Sequence, residues 1–101
     1  MLTFILKKEW FDKIKRGEKT VEYREAKPYW DRRVYSLLQC ELRCIGENTH
    51  AIYQNDCIFR LGYTKKILKG KITRVEKMNG KETDLKIDKP VYAFYFYLMP
   101  F

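Results

Sequence analysis

Residues 10–30, WFDKIKRGEKTVEYREAKPYW, carry the pattern on which the fold turns. Trp10, Phe11 and Ile14 fall at the spacing of one helix face, with polar residues filling the other. Gly17 follows where a helix commonly ends on a left-handed residue, a conformation that costs glycine little. From Thr20 the period changes to alternation. Thr20, Glu22 and Arg24 fall on one side of a pleat and Val21 and Tyr23 on the other, which predicts a strand whose apolar pair faces the core. Pro28 suits the first turn of a second helix, with Tyr29, Trp30, Val34, Leu37 and Leu38 on its apolar side and Asp31, Arg32 and Arg33 on its charged side.

Working outward, Leu2, Phe4 and Leu6 alternate into a first strand. Residues 39–50, QCELRCIGENTH, have no clean period and predict mostly a connecting loop. Ala51 to Arg60 and Ile67 to Met78 predict two strands separated by a turn at Gly62. Asn79-Gly80 is the strongest hairpin signal in the chain. Val91 to Met99 is apolar on both sides, as a strand with neighbours at both edges would be. The order strand, helix, strand, helix and then several strands predicts an α+β domain on a strongly bent antiparallel or mixed sheet.

A chain of 101 residues, 46% of them hydrophobic, suits one compact domain spanning residues 1–101. No apolar run approaches the roughly 20 residues of a membrane-spanning helix. MLTFILKK lacks a basic region ahead of its apolar run and reads as a first strand rather than a signal peptide. A cytoplasmic protein is expected. Three cysteines suit reduced thiols better than a disulfide framework. The net charge of +8 is unevenly spread: residues 1–33 hold 10 basic and 6 acidic groups, and residues 60–78 hold 7 and 1. A fold that joins these segments would present a basic face attractive to a polyanion, nucleic acid first among them, although lysines also merely keep a small barrel soluble.

The run from Trp10 to Trp30 closely resembles the signature of the ASCH domain family, in particular its short phage and bacterial members. FRLGYTKK, residues 59–66, resembles the family's second block, and YAFYFYL, residues 92–98, its last strand. The resemblance implies a PUA-like fold, a small β-barrel with flanking helices, and a role in binding RNA or a modified nucleoside. It places Lys19, Glu22 and Arg24 at polar signature positions lining a cleft beside the first helix. Residues 39–57 match nothing in that pattern and read as a lineage-specific insertion.

The residue chemistry adds its own weights. Glu22 and Arg24 share a strand face; if exposed, such a pair contributes at most about 1 kcal/mol. In a cleft, the Arg24 fork would suit a phosphate or a base edge, and Glu22 could accept from an exocyclic amine. Lys27 and Tyr29 in one segment, and Arg60, Tyr63, Lys65 and Lys66 in another, combine cations with flat rings as single-stranded RNA binding requires. Trp30, on an apolar helix side, reads as core.

Cys40, Cys44, His50 and Cys57 lack the paired spacing of a zinc knuckle, so neither metal nor cofactor is expected. The alternative is an RNA-directed hydrolase, with Lys19, Glu22 and Arg24 as its catalytic residues. Relatives in the wider family include an amidohydrolase acting on acetylated cytidine. Its lysine is matched by Lys19, but Glu22 stands where its threonine would, and a carboxylate does not replace a hydroxyl nucleophile. A third option is a phage module that engages a host protein.

Overall fold

The computed structural model describes residues 2–45 and 51–100, with the backbone alone at 38–45 and 51–54. Among the described residues, β1 (Leu2–Leu6) leads into α1 (Lys8–Lys15), β2 (Val21–Glu25) and α2 (Pro28–Ile45). β3 (Ala51–Leu61), β4 (Ile67–Asn79) and β5 (Pro90–Leu98) follow. The sheet order is β1-β3-β4-β5-β2, with β1 and β3 parallel and the other pairs antiparallel. Register shifts in β3 between Ala51 and Asn55, and in β4 between Ile72 and Arg74, help it bend. The two ends of this order approach each other: Arg24 on β2 donates from Nη2 to the Ile5 carbonyl of β1 at 3.1 Å. The sheet is therefore a curled half-barrel whose open seam lies between β1 and β2.

Its interior is aromatic. Phe4, Phe59 and Phe94 are fully buried, with Phe4 stacked on Phe59 at 5.4 Å and meeting Phe94 edge-on at 5.1 Å. Trp30 of α2 lies parallel to Phe4 at 5.3 Å and packs on this core, as its helix side predicts. Phe11 and Ile14 bury the inner face of α1. Gly17 adopts φ +80 after that helix, and the amides of Glu18 and Lys19 both donate to the Lys13 carbonyl at 2.9 and 3.2 Å. This tight turn points Lys19 back over α1.

The structure differs from the pattern-based expectations at three places. On β2, Glu22 lies opposite Phe94 and Arg24 opposite Tyr92, so the charged pair shares the core face and Val21 and Tyr23 are the half-exposed ones. Alternation identifies two faces without saying which is inside. Residues 39–45, expected as loop, continue α2, because a broken apolar period does not end a helix that its backbone bonds sustain. Gly46 and residues 47–50, including His50, lie outside the described residues. Asn79-Gly80 does not make a two-residue hairpin. The Asn79 side chain accepts from the Lys81 amide at 2.8 Å and opens a 3-10 turn over Gly80–Glu82, so β4 and β5 are joined by residues 80–89. Gly80 is buried there, and a Cβ at this position would sit 2.7 Å from the Ile87 side chain.

Candidate functional site

The seam between β1 and β2 opens into a cleft of about 400 Å³. Ile5, Leu6 and Lys7 form one wall, and β2 from Glu22 to Glu25 forms the other. Trp10 of α1 and Asp84, Leu85 and Ile87 of the 80–89 loop complete it. The size falls within the roughly 300–1,000 Å³ typical of small-molecule sites.

Its floor is a set of interlocked charges. Glu22 is only 5% exposed. Its Oε2 accepts from Arg24 Nε at 3.0 Å and from Arg24 Nη2 at 2.7 Å. The Arg24 guanidinium rests 5.4 Å over both the Phe4 and Trp30 rings, which fixes its plane. Lys19 Nζ lies 3.5 Å from Glu22 Oε1 and donates to Asp84 Oδ2 at 2.5 Å, with the Trp10 and Tyr23 rings at 5.2 and 5.1 Å. Burial pushes the Glu22 carboxyl above its ordinary range, against the opposing pull of Arg24 and then Lys19. Two cations and two carboxylates balance, so the floor carries no net charge.

Two polar atoms of this floor take part in none of these hydrogen bonds, although one of them faces the Lys19 ammonium at 3.5 Å. Among the described residues, the hydrogen bonds to Glu22 all fall on Oε2, and those from Arg24 leave through Nε and Nη2. Glu22 Oε1 and Arg24 Nη1 therefore offer an acceptor and a donor from adjacent side chains. None of the residues lining the cleft is a Ser, Thr or Cys.

Lys19, Glu22 and Arg24 thus converge, as their shared segment suggests, but each is engaged with another charge. Asp84 was not legible in the sequence. It is one of three acids in the loop, with Glu82 and Asp88, and only the loop path selects it. Thr83 holds that path: it is 3% exposed, its hydroxyl donates to the Gly80 carbonyl at 2.8 Å, and it accepts from the Leu85 amide at 3.2 Å.

The other predicted residues lie outside the cleft. The β3–β4 turn adjoins it, because the Gly62 amide donates to the Leu6 carbonyl at 2.8 Å. This turn presents Tyr63, 89% exposed, and the exposed Lys65 and Lys66. Thr64 stiffens it by donating to the Leu61 carbonyl at 2.6 Å. Lys27 pairs with Glu25 at 3.3 Å. Tyr29 is half-exposed on α2 beneath the Arg33 guanidinium, 3.4 Å above its ring. Arg60 lies level with Ile5 on β3, and its buried Nε has no hydrogen-bond partner. Cys57 is core, its thiol pushed up to about 12 by burial. The side chains of Cys40 and Cys44 lie outside the described ones, and among those described no three acids, cysteines or histidines gather as a metal site. No described helix is long and apolar enough to cross a membrane.

Comparison with protein-family models, with curated proteins and with solved structures finds no match to this chain.

Proposed function

We propose that the curled half-barrel is a PUA-like domain of the ASCH type and that it binds RNA or a modified nucleoside, one base entering the seam cleft. The observation that carries this reading is the acceptor and donor that the floor's hydrogen bonds do not use, Glu22 Oε1, which Lys19 faces at 3.5 Å, and Arg24 Nη1. An adenine or cytosine edge presents an exocyclic amine beside a ring nitrogen acceptor, which complements that pair. Uracil presents an oxygen where the amine is needed. The balanced floor favours an uncharged base over a phosphate, since Asp84 and Glu22 already answer Lys19 and Arg24. Phosphates instead meet Lys7, Lys65 and Lys66 at the edge, none of which has a carboxylate partner among the described residues. Tyr63 stands among them as a platform for a neighbouring base.

The test is fluorescence anisotropy with a single-stranded RNA octamer at 50 and 200 mM salt. Three phosphate contacts predict an affinity loss of about 15- to 20-fold over that range. Tyr63→Ala should cost about 1–3 kcal/mol of binding with no change in thermal stability, because the ring is almost wholly exposed. Binding that is indifferent to salt and to Tyr63 would overturn the reading.

A further inference from the structure

The Lys19–Asp84 bridge borders more than one hollow. Beyond it lies a second hollow of about 350 Å³, walled by Lys13, Glu18, Thr20 and Val21. Trp10, Lys19, Tyr23 and Asp84 line both hollows, so the ion pair stands as a partition between two adjoining hollows. Trp10 and Lys13 are three apart on α1, the spacing that brings side chains together on one helix face, and Lys7, the extended residue that caps that helix, lines the first hollow with Trp10. The Lys13 ammonium lies 4.9 Å over the Trp10 ring. Asp12, next to Lys13 in sequence, is taken by Lys8 at 2.6 Å, and Glu18, which lines the second hollow, is taken by Arg16 at 2.6 Å. Among the described residues each hollow therefore has one cation without a carboxylate partner, Lys7 in the first and Lys13 in the second, with the Trp10 ring lining both.

We propose that the two hollows hold two successive nucleotides of one strand. The first base occupies the Glu22 and Arg24 hollow, the second occupies the hollow beyond the partition, and the linking phosphate lies against Lys7, Trp10 and Lys13. This rests on the nucleic-acid reading above and deepens it, making the ligand a strand rather than an isolated nucleoside. A cation and a ring on either side of a barrier suit a repeating unit of base and phosphate. A lone nucleoside would leave the second hollow unused.

The experiment compares adenosine and cytidine with ApA and CpC by calorimetry and by amide chemical-shift mapping, on the full chain and on Lys13→Ala. Lys13 is exposed and lines only the second hollow, so its removal leaves the fold and the first hollow as they are. The dinucleotides should bind at least tenfold more tightly than the nucleosides. Lys13→Ala should remove most of that gain while leaving nucleoside affinity unchanged, and Thr20 and Val21 amides should shift with the dinucleotides alone. Equal affinities, or a Lys13→Ala variant that binds the dinucleotides as wild type does, would overturn the second subsite while leaving the first standing. If neither nucleosides nor dinucleotides bind, the nucleic-acid reading fails and the subsite fails with it.

Discussion

Arg24→Ala probes the centre of the site. It removes both donors to Glu22 Oε2, at 3.0 and 2.7 Å, and the 3.1 Å bond across the seam to the Ile5 carbonyl. Stripping one partner from a buried ion pair costs about 3–5 kcal/mol. Two features lower the figure here: the Arg24 side chain is 24% exposed, and Lys19 still stands 3.5 Å from Glu22 Oε1. The expected loss is about 2–4 kcal/mol at pH 8. Its pH dependence has a definite sign. Burial already holds Glu22 above its ordinary value of 4.5, and losing Arg24, the largest opposing influence, raises it further. A carboxyl with a folded-state pKa above its unfolded one favours the folded state most at low pH, and that contribution is lost as pH rises through the folded pKa. The deficit should therefore be smaller at pH 5 than at pH 8. Urea denaturation at both pH values measures it. Adding Glu22→Gln to Arg24→Ala, which removes the stranded charge, should recover part of the loss at pH 8. A loss below about 0.5 kcal/mol at both pH values would mean that Glu22 does not depend on this partner, and the account of the floor would be refuted.

Gly80→Ala should destabilise by about 1–3 kcal/mol, measured by thermal melting, because the added carbon meets Ile87 and Val91 at 2.7 and 2.8 Å; a neutral effect would place the loop differently. Tyr92 donates to Asp31 Oδ1 at 2.5 Å, and burial followed by that bond pushes its phenol up to about 12. Its contribution is fully present below the ordinary value near 10 and is lost as pH rises towards 12, so Tyr92→Phe should cost about 1.5–3 kcal/mol at pH 8 and flatten stability between pH 10 and 12. Identical alkaline denaturation curves for the two proteins would remove this tie between α2 and β5.

Local chemistry made much of the framework legible. Leu2, Phe4 and Leu6 alternate because a strand shows its core every second residue, and they are buried as that period requires. Gly17 marks the end of α1 because few other residues accept its backbone angle, and Pro28 opens α2 because a first turn needs no amide donor. The grouping of Lys19, Glu22 and Arg24 follows from their closeness along a turn and strand.

What these residues do there was decided by the fold alone. Period two separates Glu22 from Val21 but is blind to the side on which the barrel curls. Only the register against Phe94 turns the charged face inward, and only then do Arg24, Lys19 and Asp84 matter as its partners. Asp84 arrives from a loop 65 residues away in the chain, along a path set by Asn79, Gly80 and Thr83. Sequence spacing constrains neighbours along the chain, whereas a buried charge is balanced by whichever groups the closed sheet brings within reach.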